Sequence, residues 1–180
     1  MMVSQQEQTL NLTEYIRDIP DFPKPGILFK DITPLLAHPK AFRVAIDQLA
    51  KQYKRRTIDA IAAAEARGFL LAAPLALQLE KPLIPLRKPG KLPFRTLTHK
   101  YELEYGSAEL QMHIDSIKHG AQVLLVDDVL ATGGTMQAGC KLVEQAHGQI
   151  VGCAFLIELA FLHGRDLLAP FEVFSLIRYD

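Results

Sequence analysis

Between Val123 and Thr135 the chain reads VLLVDDVLATGGT, with two adjacent acids set between an apolar run and a turn of small and hydroxylic residues. The run QVLLV, residues 122–126, has the composition of a buried strand. Its carboxyl end would carry Asp127 and Asp128 to the edge where open α/β sheets bind ligands. Because side chains alternate along a strand, the two carboxylates are expected to point different ways and to serve different tasks. Beyond them Ala131, Thr132, Gly133, Gly134 and Thr135 form a short turn that opens a helix. The glycines permit backbone conformations that other residues resist, and the threonine hydroxyls stand beside the free N–H groups of a helix start. Those properties make a phosphate cradle. Neither G-x-G-x-x-G nor G-x-x-x-x-G-K-[ST] occurs here, so a dinucleotide fingerprint or a P-loop is not supported. The plain alternative is a strand-to-helix turn with acidic caps.

Three further segments could carry chemistry. Glu65 to Phe69, EARGF, ends an earlier apolar run and sets Arg67, with its rigid fork of N–H donors, beside Gly68 and its accessible backbone. Alone, such an arginine is as readily a solvated charge. Residues 81–100 hold six Lys or Arg and no acid, and Lys88 and Lys91 flank Pro89-Gly90, the flexible point of a lid. The bland reading is a solvated basic loop, and with only Phe94 available for stacking it makes a poor RNA-binding surface. Phe22 to Asp31, FPKPGILFKD, is a proline-stiffened apolar loop that suits packing as well as recognition. The six histidines lack H-x-H or H-E-x-x-H spacing, which disfavours a dedicated zinc site. Cys140 and Cys153 fall in a predicted helix and a predicted strand and read as packing residues. The Lys54, Arg55, Arg56 run reads as a solvated helix terminus.

Positioning these groups requires a sheet. Leu12, Tyr15, Ile16 and Ile19 have the spacing of one helix face, so residues 12–19 are expected as a short amphipathic helix ending at Pro20. The prolines up to Pro34 then predict an ordered loop. A second helix is expected from Pro39 through Tyr53, with Phe42, Ile46 and Leu49 on one face. Thereafter short apolar runs (58–65, 82–86, 122–126, 150–159 and 173–177) alternate with helical stretches at 68–79 and about 134–146. That is a series of βαβ units, hence a mostly parallel sheet flanked by helices. Residues 87–107 are too long for an ordinary connection and are expected as a functional lid or a disordered loop. The alternation in residues 109–113 suggests a strand with one wet face, the second leg of a hairpin.

Composition narrows the class. One hundred and eighty residues suit one domain with a sizeable core. Twenty basic against twenty acidic residues give zero net charge, without the global field of a nucleic-acid or membrane-surface binder. Two cysteines are too few for a disulfide framework, and residues 1–11 are polar, with no apolar targeting core. No apolar run approaches the roughly 18 residues of a membrane span. A cytoplasmic protein is expected.

The motif VLLVDDVLATGGT resembles the 5-phosphoribosyl-1-pyrophosphate (PRPP) signature of type I phosphoribosyltransferases. RKPGKLP followed by YELEYGSAEL, and FPKPGILFKD near the start, resemble adenine phosphoribosyltransferases. The resemblance implies a single type I phosphoribosyltransferase domain over residues 1–180, with a hood at about 12–38 and a lid at about 87–108. It implies that Asp127 and Asp128 hold the ribose 2′ and 3′ hydroxyls, and that Ala131, Thr132, Gly133, Gly134 and Thr135 hold the 5′-phosphate. Arg67 and Lys88 would meet pyrophosphate, while Glu104 and Tyr105 close over the reacting centre and Glu104 handles a proton at N7 or N9. Phe29 would stack on adenine, backbone groups near Leu28 and Lys30 would read its edge, and Leu130 would cover its other face. Mg²⁺ would be held mainly through PRPP and water, with Asp127 as the candidate protein ligand. Substrates and products would be adenine, PRPP, AMP and pyrophosphate, and the family is usually dimeric. A 6-oxopurine or orotate phosphoribosyltransferase shares the Asp127-to-Thr135 motif. A PRPP-sensing transcription regulator shares the fold, but it needs a basic domain or face that a neutral chain of this length lacks.

Overall fold

A parallel sheet hides both faces, so its strands are apolar throughout and its ligands collect at the strand ends. The computed structural model describes residues 10–102 and 107–180 of the chain. Two units divide it, residues 1–45 and residues 46–180.

In the first unit, Leu12–Tyr15 forms a single 3₁₀ turn. The side chain of Asn11 caps it, accepting from the Thr13 N–H. β1 (Arg17–Ile19) then pairs antiparallel with β2 (Phe29–Asp31). The expected helix over residues 12–19 is thus one turn and a strand. Ile16 is already extended, and the connecting loop returns the chain through left-handed residues at Asp21 and Gly26, tied by Gly26 N–H donating to Asp21 Oδ1 at 2.8 Å. Strand pairing therefore takes the backbone groups that a helix would have used. α1 (Thr33–Ala37), with Pro34 in its first turn, occupies part of the expected loop. Asp31 accepts from the N–H and the hydroxyl of Thr33 just before it. α2 (Pro39–Tyr53) begins where proline predicts a start and runs on into the second unit.

The second unit contains β3 (Ala60–Ala64), α3 (Arg67–Leu79), β4 (Leu83–Leu86), β5 (Thr96–Glu102), β6 (Ser107–His113), β7 (Gln122–Leu130), α4 (Gly134–Gln145), β8 (Gln149–Leu159), the short α5 (Gly164–Leu167) and β9 (Val173–Tyr179). β4, β3, β7, β8 and β9 lie side by side in that order, every neighbouring pair parallel. From β3 the chain leads outward through α3 to β4, and from β7 it leads the opposite way through α4 to β8. The switch point of the sheet therefore lies between β3 and β7, the crevice position for a ligand. All five residues of β3 are buried, as a strand covered on both faces requires.

Two expectations are corrected here. β7 continues through Asp127, Asp128 and Leu130 instead of ending at Val126, because β8 keeps pairing with it as far as Leu130–Glu158. On its other side the ladder with β3 stops at Ala63–Val126, which leaves the acids facing an open edge. The lid segment is also more regular than a loop. Arg87 bridges to Gln111, and β5 pairs antiparallel with β6 from Thr96–His113 to Glu102–Ser107. The alternation that predicts a second hairpin leg is realised in β6, with Leu110 and Met112 buried. Leu97 and Tyr101 of β5 pack against the core that contains α4.

Candidate active site

The end of β7 and the turn after β3 meet at the open edge. Gly68, at the start of α3, lies so close to the acids that an added Cβ would stand 2.8 Å from Asp127 Oδ1 and 3.2 Å from Val126 O. A side chain there would displace the carboxylate. Arg67 reaches Asp128, with Nε 2.9 Å from Oδ2. Asp128 is 3 % exposed, and its Oδ2 has this ion pair but no aligned hydrogen bond. Asp127 Oδ1 accepts from the Asp128 N–H at 2.9 Å.

Burial pushes the Asp127 carboxyl well above the usual carboxylate range, and the negative charge of Asp128 pushes it further. Burial also raises Asp128, against the opposing pull of the Arg67 guanidinium. Two desolvated acids side by side with one cation are short of positive charge and of donors. They would gain from a ligand that brings hydroxyl donors or a metal ion.

The turn that follows has Gly133 at the N-cap of α4 in the left-handed region (φ +89°), with no side chain capping the helix. The first-turn N–H groups are thereby left for an external acceptor, in the direction where the helix dipole favours an anion. Thr132 is exposed and Gly133 is buried. Tyr101 of β5 lies with its hydroxyl 3.4 Å from Thr135 Oγ1, so the lid hairpin touches the start of α4.

Among the other predicted residues, Lys88 is exposed and has no ion-pair partner among the described residues. It opens a turn closed by Lys91 N–H donating to Lys88 O, with Gly90 at φ +76°. Leu130 is 1 % exposed and belongs to the core cluster. In the first unit, Leu28 is exposed and Phe29 is half-buried with its ring edge-on to Phe22. Lys30 is buried and paired with Asp18 at 2.6 Å. Glu104 and Tyr105 lie outside the described residues.

The family profile described as phosphoribosyl transferase domain matches residues 31–176. The adenine phosphoribosyltransferase of Thermosipho melanesiensis is 57 % identical over 171 residues, covering 95 % of this chain and 98 % of its own. The chain belongs to the adenine phosphoribosyltransferases. The crystal structure of the adenine phosphoribosyltransferase from Thermoanaerobacter pseudethanolicus superimposes with a TM-score of 0.91 at 52 % identity, over 94 % of this chain and all of the other. The Giardia lamblia enzyme complexed with 9-deazaadenine gives 0.90 at 33 % identity, over 96 % and 98 %.

Sequence reasoning missed several residues around this phosphoribosyltransferase site. Arg87 donates through Nε to Glu65 at 2.7 Å and through Nη1 to Lys91 O at 3.3 Å, tying the Arg67 turn to the base of the lid. Its place in the basic segment beside Lys88 was the available signal. Tyr101 carried none, because its contact depends on hairpin register. Gly164 packs its backbone against the Ala131–Gly133 turn from 33 residues away in sequence (164 minus 131), which no local pattern reveals.

Proposed function

We propose that the protein transfers the 5-phosphoribosyl group of PRPP to N9 of adenine, giving AMP and pyrophosphate in purine salvage. The observation that carries this reading is the Asp127–Asp128 pair beside Arg67, next to the uncapped start of α4. It offers acceptors for a diol, donors for a phosphate and a cation for pyrophosphate within one strand-end crevice. Asp127 and Asp128 accept from the ribose hydroxyls, and the Ala131-to-Thr135 turn takes the 5′-phosphate. As the anomeric C–O bond breaks, negative charge builds on the departing pyrophosphate, and Arg67 and Lys88 stabilise it. Arg67 already stands against Asp128, so it is oriented before substrate arrives. Glu104 takes the adenine ring proton at N7 or N9 as the new bond forms, and Tyr105 helps the lid exclude water that would hydrolyse the sugar. Phe29 stacks on the base and backbone groups at Leu28 and Lys30 read its edge, whereas Leu130, expected on its other face, is buried in the core.

The donor set suits Mg²⁺. No cluster of three or more His, Cys, Asp or Glu among the described residues could cage a metal, whereas one or two carboxylates with substrate oxygens and water are what Mg²⁺ accepts. Asp127, with Asp128 behind it, would hold the ion, which when bound supplies charge neutralisation to the pyrophosphate.

The protein is further proposed to act in the cytoplasm as a homodimer. Leu70 and Leu77, seven residues apart on one face of α3, are 46 % and 82 % exposed. A second copy would cover them beside the helix that starts at Arg67. No helix among the described residues is long and apolar enough to cross a membrane.

The deciding experiment follows AMP formation from labelled adenine with PRPP and Mg²⁺, with hypoxanthine, guanine and orotate as competing acceptors. Transfer to adenine alone is expected. Preferential transfer to another base, or DNA or RNA binding without turnover, would overturn the reading.

A further inference from the structure

Near its end β8 carries a carboxylate, Glu158, that takes no part in the Arg67–Asp128 pair. Glu158 is 2 % exposed, and Arg165 holds it with two N–H groups, Nε to Oε1 at 2.9 Å and Nη2 to Oε2 at 2.5 Å. The Ser175 hydroxyl donates to Oε2 at 2.6 Å, and Arg178 Nη1 stands 3.8 Å from Oε1. The remaining arm of the Arg165 guanidinium, Nη1, donates to Val173 O at 2.8 Å. A buried carboxylate persists only when paired and hydrogen-bonded, and a bidentate fork fixes direction as well as distance. Arg165 is therefore fixed against β8 and β9 together.

Its neighbour in the chain is Gly164, whose backbone lies directly against the phosphate turn. A Cβ at Gly164 would stand 2.1 Å from Ala131 O and 3.0 Å from Gly133 N, and a Cβ at Gly133 would stand 2.6 Å from Gly164 O. Two backbones packed this closely leave no slack. A displacement of residues 164–165 passes directly to Ala131 and Gly133, because close-packed interiors transmit strain instead of absorbing it.

We propose that Glu158 and Arg165 are positioning residues for PRPP binding: their buried fork holds Gly164 as the floor that sets the height of the Ala131–Gly133 turn. Neither touches substrate. The inference rests on the reading of residues 131–135 as the 5′-phosphate site. It separates two consequences that a purely structural ion cluster would not separate, since loosening the floor disturbs the phosphate and leaves the adenine groups at Leu28, Phe29 and Lys30 alone.

The test measures KM for PRPP and for adenine, and calorimetric affinity for ribose 5-phosphate, in the full chain and in Arg165→Lys, Glu158→Gln and Gly164→Ala. Lysine keeps the charge but cannot make the fork. In folded variants, KM for PRPP and Kd for ribose 5-phosphate are expected to rise about tenfold or more, with KM for adenine changed by less than about twofold. Variants that lose thermal stability but keep both KM values, or raise both equally, overturn the inference. Should the fork variants fail to fold, Ser175→Ala, which removes one hydroxyl from Glu158, applies the same criterion. A selective rise in KM for PRPP sustains the inference, and a lowered Tm with unchanged KM overturns it. A parent protein that neither binds ribose 5-phosphate nor forms AMP would overturn the phosphate reading itself. Parent binding with equal binding by every variant would instead refute only the positioning role.

Discussion

Asp127 pairs function with instability. Its carboxyl is desolvated, stands beside a second acid and has a raised pKa, so its charged form is disfavoured in the free protein. Asp127→Asn keeps the acceptor for the Asp128 N–H and removes the charge. The variant is expected to gain about 1 kcal/mol, read as a rise in Tm of about 2–4 °C, while kcat/KM falls by about 100-fold or more. Thermal melts and steady-state kinetics check the pair of effects, and a destabilised variant would contradict the account. Arg67 is tested by its partner in the reaction. Arg67→Ala should raise KM for PRPP far more than it weakens AMP, because only the former carries pyrophosphate, and equal losses would remove Arg67 from the leaving-group role. Both acids and the arginine were legible in the sequence because their types and neighbours are local. The Arg67–Asp128 ion pair was not, since it joins residues whose strands are neighbours only through β3–β7 pairing.

At the scale of elements, periodicity found α2, α3, α4 and the five parallel strands to within a few residues. It failed where non-local pairing competes with local pattern. Residues 12–19 have helical spacing, but Arg17–Ile19 finds a strand partner in Phe29–Asp31. The lid was long and polar enough to read as a loop, but Thr96–Glu102 within it forms β5 because β6 offers a complete ladder. The short α5 had no signal of its own, and its Arg165 is hydrogen-bonded to Glu158 of β8. Hydrogen bonding to Arg165 holds the Glu158 carboxyl below its ordinary value of 4.5, against the opposing effect of burial. A depressed carboxyl stabilises fully above its unfolded pKa and loses that contribution as pH falls through the folded value. Melts of the parent protein and Glu158→Gln from pH 7 down to about pH 3 should therefore show a parent advantage above about pH 5 that shrinks in acid. An advantage that grows in acid would contradict the sign.

For the whole molecule, zero net charge conceals a division. Residues 81–100 hold six cations and no acid, while residues 101–130 hold six acids against Lys118 alone. The division suits one small polyanion, with cations for its phosphates and carboxylates for its hydroxyls, better than an extended nucleic acid. The apolar stripe on α3 is the surface feature that this charge division does not explain. If it is the subunit contact, Leu77→Glu should convert a dimer into a monomer by light scattering; a parent protein that is already monomeric at micromolar concentration would contradict the assignment.

The placement of β7 beside β3 has a consequence for how the protein comes into being. Arg67 and Asp128 are sixty-one residues apart (128 minus 67), and β4, the strand next formed after β3, takes the other side of it. The first βαβ unit can therefore close with only the Arg67 side of the crevice in place. Only when the later strand zips onto β3 do guanidinium and carboxylate meet, after the largest loop in the sheet has been closed at its entropic cost. Catalytic competence is thus a late acquisition of the folding chain, and a nascent protein that ends before β7 has the β3–β4 pair and Arg67 without the carboxylates that face it.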